Sequence, residues 1–121
     1  MSTKMLRYRM IESIKLLASE GNIQLSCFPD FVCKGDEIAN SLNDWLLLYQ
    51  QEKKHDSEGA FSSDELESII DLDRYISTFS PEEFSDNAIL HLYKWDVIRK
   101  KARNLLISLG EEYSIPDKKS V

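Results

Sequence analysis

The chain has 121 residues, with 15 Lys+Arg against 21 Asp+Glu and a formal net charge of −6 at pH 7. That length gives one domain able to bury a core without staples, and 42% hydrophobic with 30% charged residues is a globular composition, not a disordered one. The longest uninterrupted apolar run, Trp45 to Tyr49, is far shorter than the ~20 residues a membrane span needs.

No apolar region with a small-residue cleavage site follows Lys4, Arg7 and Arg9, so no secretory signal is expected. Cys27 and Cys33 are too few for a disulfide framework and lack C-x-x-C spacing. They are expected to be buried and inert, in a cytoplasmic protein.

From Met5 to Glu20, the residues Leu6, Met10, Ile14 and Leu17 share one helical face, and Gly21 follows as a C′ residue. Ile23 to Gly35 reads as irregular or briefly helical, since Pro29 biases Phe28 away from helical dihedrals. Asp36 is placed to cap a second helix to about Gln51, with Ile38, Leu42, Trp45, Leu46 and Tyr49 inward. Gln50 to Phe61 is a hydrophilic connection.

Ser62-x-x-Glu65 is a capping box for a third helix whose inner face holds Leu66, Ile69, Ile70, Leu72, Ile76 and Phe79. Its opposite face carries Asp64, Glu67 and Asp71. A second box, Ser80-Pro81-Glu82-Glu83, restarts the helix in a new direction. The last helical region spans about Ser85 to Leu109 and stops at Gly110. Its apolar phase shifts from Ile89, Tyr93 and Val97 to Trp95, Ile98, Ala102, Leu105, Leu106 and Leu109, which predicts a kink or break near Lys94. Strand-like alternation is nowhere sustained. The expectation is a compact all-α single domain of four to five helices over residues 1–110, with a loosely ordered tail over 111–121.

The net charge is unevenly spread. Residues 55–86 sum to −9, with ten carboxylates and Arg74 as the one formal cation, between basic helical segments at 1–18 and 87–109. Such a block repels polyanions, so direct nucleic-acid binding through it is disfavoured. Its two readings are a solvated face and a surface for a basic protein partner. The run Arg99, Lys100, Lys101, Arg103 sits near a helix end, where cations complement the dipole.

Motifs for catalysis are sparse. His55 and His91 lie in no metal-binding spacing, and His91 shares a face with Trp95, which predicts partial burial. No phosphate loop or nucleophile elbow occurs. Asp73 falls among the inward residues of the third helix, where a buried carboxylate needs a partner; Arg99 and Arg103 are the candidates by charge. No catalytic residue, metal or cofactor is expected, and the chain is read as a non-enzyme.

Residues 24–45 resemble the Q-L-S-x-x-P-x-F-V-x-x-x-D-E-x-A-x-x-x-x-x-W stretch of bacterial immunity proteins from contact-dependent growth inhibition systems. Leu72-Asp73 and Trp95-Asp96-Val97-Ile98-Arg99-Lys100-Lys101-Ala102 are similar to that family's Leu-Asp and W-x-x-I-R-x-x-A segments, and Leu16-Leu17-Ala18-Ser19 fits its first helix. The chain departs from the pattern at Cys33-Lys34-Gly35, at Asn40-Ser41 and in the acidic connection after Gln51.

The resemblance implies a cytoplasmic protein that binds a cognate toxin domain as a one-to-one heterodimer, without nucleic acid or membrane. Many such toxins are nucleases, which need basic surfaces to hold phosphates. An acidic antidote can compete for that surface, covering the toxin's active site or its substrate access. On this reading Asp36 caps its helix, and Phe28, Phe31 and Trp45 pack the core. The binding residues are expected in the acidic block: Asp56, Glu58, Asp64, Glu67, Asp71, Glu82, Glu83 and Asp86, with Tyr75 or Phe61 as aromatic anchors. The alternative reading is a helical adaptor or regulatory protein with a non-toxin basic partner.

Overall fold

A computed structural model describes residues 2–53 and 60–118. Among these residues all regular structure is helical: α1 (Thr3–Ala18), α2 (Gly21–Ser26), α3 (Lys34–Lys53), α4 (Ser63–Ser77), a 3₁₀ turn at Pro81–Phe84, α5 (Asp86–His91) and α6 (Tyr93–Ser108). The all-α expectation holds. The helix number exceeds it because the Gly21–Ser26 segment coils and the last region divides in two.

α1 is the central helix. It packs against both α3 and α6, which is why Leu6, Met10, Ile11, Ile14, Leu16, Leu17 and Ala18 are all buried. Ser13 of α1 and Ser41 of α3 share a 2.7 Å hydrogen bond inside that contact, so two small hydroxyls satisfy each other where the helices meet. At its start, Ser2 Oγ accepts from the Met5 amide at 3.2 Å, an N-cap.

Gly21 does not end α1. It opens α2, buried against the Arg99 guanidinium and Ile89 O, where an added Cβ would lie 2.9 Å from Arg99 Nη2 and 3.2 Å from the carbonyl. Closeness of packing, not a left-handed cap, explains the glycine. Among the described residues the left-handed glycine is Gly110, at φ 74° after α6, as its place beyond the last apolar residue predicts. Asp36 likewise lies in the first turn of α3 with Glu37, where a carboxylate favours the helix dipole without being the cap.

Both capping boxes form at the predicted residues. Glu65 Oε1 accepts from the Ser62 amide at 2.8 Å and Ser62 Oγ from the Glu65 amide at 3.1 Å. The Ser80 amide donates to Glu83 Oε1 at 2.8 Å. The chain breaks at Leu92, whose extended dihedrals of −76° and 128° separate α5 from α6, two residues before the predicted kink at Lys94.

The second part of the core forms around Trp95, whose side chain is fully buried. Its Nε1–H donates to Glu83 O at 2.7 Å, and Phe79 and Phe84 meet the ring edge-on at 5.6 and 6.3 Å, a geometry the ring quadrupoles favour. Gly35 lets α3 approach this turn; a Cβ there would fall 2.0 Å from Phe84 O.

Beyond Gly110, residues 111–117 have no regular structure but lie against α1. Tyr113 Oη and Ser19 Oγ are 2.8 Å apart, Lys15 Nζ donates to Ser114 Oγ at 3.0 Å, and the Asp117 amide donates to Glu12 Oε1 at 3.3 Å. Pro116 is buried.

Candidate functional site

The amphipathic spacing of α4 decides the character of its two faces. Leu66, Ile69, Leu72 and Ile76 are buried toward α3 and α6, and Asp64, Glu67 and Asp71 are exposed at i, i+3 and i+7, along one outward stripe. Asp71 Oδ1 lies 3.7 Å from Arg74 Nη1, a surface pair with both side chains largely in water. Asp71 also borders a groove of about 280 Å³ between α4 and α6, together with Ser68, Lys101, Asn104 and Ser108.

The remaining acidic residues differ in availability. Glu82 and Asp86 are exposed. Glu83 is committed within the chain: its Oε2 lies 2.8 Å from Lys94 Nζ, and its Oε1 accepts from the Ser80 amide. Those bonds hold its carboxyl below the usual carboxylate range, Lys94 first and Ser80 second. Asp56 and Glu58 lie outside the described residues. The candidate aromatic anchors also have internal partners. Phe61 is buried, with Arg7 Cζ 4.7 Å above its ring and Tyr49 edge-on at 5.4 Å. Tyr75 is half-buried, with Lys101 Nζ 5.1 Å from its centroid.

Asp73 is 8% exposed, inward as its helical position requires, but neither arginine is its partner. Asn43 Nδ2 of α3 donates to Asp73 Oδ2 at 2.9 Å, while the buried Oδ1 accepts nothing from the described residues. Desolvation raises the carboxyl above its ordinary range, and the Asn43 bond opposes the shift. Charge pairing gave the wrong partner because α4 faces α3 through this residue, and α3 offers a neutral amide there.

Arg99 and Arg103 instead close the end of α1. Arg99, 6% exposed, donates to Ser19 O at 3.1 Å, to Gln24 Oε1, to Asp96 Oδ1 at 2.9 Å and to Ile89 O. Arg103 Nε donates to Ala18 O at 3.0 Å and Nη2 to Glu20 at 2.9 Å. These cations complement the negative end of a neighbouring helix, not of their own. Gln24 completes the closure by donating to Leu16 O and Leu17 O at 3.1 and 3.2 Å. Gln24, the first residue of the 24–45 stretch, is thus a buried scaffold residue.

Other expectations are corrected at the surface. Phe31 is 88% exposed, because the turn at Pro29–Val32 carries it away from the core that Phe28 half enters. His91 is exposed beside the break at Leu92, since the change of direction rotates it off the face of Trp95. Cys33 is exposed and Cys27 half-buried; burial raises the Cys27 thiol above its usual range. Trp45 is half-buried, with Arg9 Cζ 5.4 Å from its ring centroid.

No group of three His, Cys, Asp or Glu among the described residues could hold a metal ion, and no helix among them is long and apolar enough to cross a membrane. No family model matches the chain, and no curated protein or solved structure matches it.

Proposed function

We propose that this chain is an immunity protein of a contact-dependent growth inhibition system. It binds one cognate toxin domain, a basic nuclease, in a one-to-one complex in the cytoplasm and covers the active site or the approach to it. The observation that carries the reading is the exposed carboxylate stripe Asp64, Glu67 and Asp71 on α4, backed by the buried face that fixes the helix. A nuclease must present Lys and Arg to hold phosphates, and an outward row of carboxylates offers those cations an alternative. Its field also speeds encounter. The resemblance in residues 24–45, 72–73 and 95–102 supplies the protein class.

The stripe can vary without disturbing the core, which is what recognition of a single toxin requires. Such specificity comes from attraction to one partner and mismatched charge with the others. The test is protection. Cells making the chain should survive induction of the toxin domain encoded immediately upstream of its gene, and should die when toxins of unrelated systems are induced. Death in both cases overturns the proposal.

A further inference from the structure

The α2–α3 loop and the outward side of α3 enclose a groove of about 240 Å³, lined by Phe28, Glu37, Asn40, Asp44, Trp45 and Leu48. Helical spacing creates it: Glu37, Asn40, Asp44 and Leu48 succeed one another at three- or four-residue steps, along one stripe of α3. Phe28 and Trp45, both half-buried against the core, supply aromatic walls. Glu37 and Asp44 stand exposed at the rim.

No cationic side chain lines this groove. The nearest cation in sequence, Lys34, is engaged 2.9 Å from Asp30. The Trp45 ring already receives one guanidinium, that of Arg9 from α1, at 5.4 Å. One indole wall, one phenyl wall, two carboxylates and an amide side chain suit a planar cation on an aliphatic stem. The stem packs on Leu48 and the rings while the head reaches the carboxylates. Arginine fits better than lysine, because a guanidinium both stacks on indole and forks to carboxylates. The volume lies below the ~300–1,000 Å³ of small-molecule sites.

We propose that this groove seats an arginine side chain of the bound partner, giving the complex a second contact centred on α3, apart from the acidic stripe of α4. The partner's identity as a basic toxin rests on the function proposed above; the groove's preference for arginine does not.

Two measurements separate these statements. The chain contains two tryptophans, and Trp95 is buried with its Nε1–H held by Glu83 O, so its indole resonance serves as an internal reference. Titration with acetyl-Gly-Arg-Gly-amide should move the Trp45 indole signal and the amides of Glu37, Asn40 and Asp44, while Trp95 stays fixed. The glutamine analogue should move none of them, and Glu37→Gln/Asp44→Asn should abolish the arginine response.

In the second measurement, the same double variant should bind the inactivated upstream toxin domain about tenfold more weakly by calorimetry, with thermal unfolding lowered only by the small amount that losing one first-turn carboxylate of α3 entails. Equal responses to both peptides, or toxin affinity untouched by the double variant, overturns the seat. A selective peptide response combined with no toxin binding by the parent chain overturns the immunity function and leaves the arginine preference standing.

Discussion

Arg99 of α6 donates two hydrogen bonds to Gln24 Oε1 of α2, 3.3 Å from Nε and 2.9 Å from Nη2. Gln24 passes the linkage on to the last carbonyls of α1, and Ile89 O of α5 accepts from Arg99 as well, so four helices join at one buried guanidinium. Desolvation pulls Arg99 below its ordinary range, and Asp96 opposes that shift. Glu20 opposes it further, and Ser19 O and Ile89 O accept from the same guanidinium.

Removing this guanidinium should be costly. Arg99→Leu leaves Ser19 O, Ile89 O and Gln24 Oε1 without their donor, and is expected to lower stability by about 3 kcal/mol. Arg99→Lys should recover less than half, because a compact ammonium cannot reach the same oxygens in fixed directions. Urea unfolding at unchanged m-value checks both. A loss below about 1 kcal/mol for Arg99→Leu would mean that water replaces the donor.

Asp73 should make stability depend on pH in the opposite sense to a salt-bridged carboxylate. Burial raises its folded-state affinity for a proton, so the folded chain binds more protons than the unfolded chain. Its contribution therefore falls as pH rises from the unfolded value, about 3.9, through the raised folded value. Asp73→Asn cannot ionise and can still accept from Asn43. The stability of the variant relative to the parent should thus increase between pH 4 and pH 7. Urea unfolding of both proteins at several pH values measures it, and a pH-independent difference would contradict the raised carboxyl.

Features set by near neighbours in the chain were legible before the fold was known. The boxes at Ser62/Glu65 and Ser80/Glu83 are four-residue signals, and the apolar stripes of α1, α3 and α4 follow helical period. The outward placement of Asp64, Glu67 and Asp71 is the same periodicity seen from the other side. What failed depended on distant partners. Gly21 has the local look of a helix end, yet it serves the Arg99 guanidinium from far along the chain. Asp73 suggested an arginine by charge, whereas the packing of α4 on α3 supplied Asn43. The groove at Trp45 joins a helical stripe of α3 to a loop turned by Pro29, and the stripe alone does not show that Phe28 comes to wall it. Phe31 stays exposed because hydrophobicity states a preference for burial, while the turn decides whether burial is reached.

Gly35 offers a strict test of the contact between α3 and the 3₁₀ turn. An added Cβ would meet Phe84 O at 2.0 Å and Phe84 Cβ at 2.8 Å, and backbone cannot yield as a side-chain end can. Gly35→Ala should cost about 3 kcal/mol despite the better helix propensity of alanine. Gly21→Ala, whose tightest contact is the end of the Arg99 side chain at 2.9 Å, should cost less, about 1 kcal/mol. Chemical denaturation of the two variants ranks them, and the reverse order would show that the turn at Phe84 shifts freely.

The proposed role of α4 is tested most directly by reversing its charge. Asp64→Lys, Glu67→Lys and Asp71→Lys together place three cations where a basic toxin expects three anions. Binding to the upstream toxin domain should fall at least about 100-fold, chiefly through slower association at low salt. The fold should persist, because all three side chains are exposed and the inner face is untouched. Asp71 gives up only its 3.7 Å surface pair with Arg74, and Asp64 its place in the first turn of α4, so the expected loss of stability is about 1 kcal/mol. Glu112→Lys changes an exposed charge in the tail and should leave binding intact, which separates the stripe from net charge. Calorimetric binding beside circular dichroism decides the matter: full affinity in the folded triple variant would move the interface away from α4.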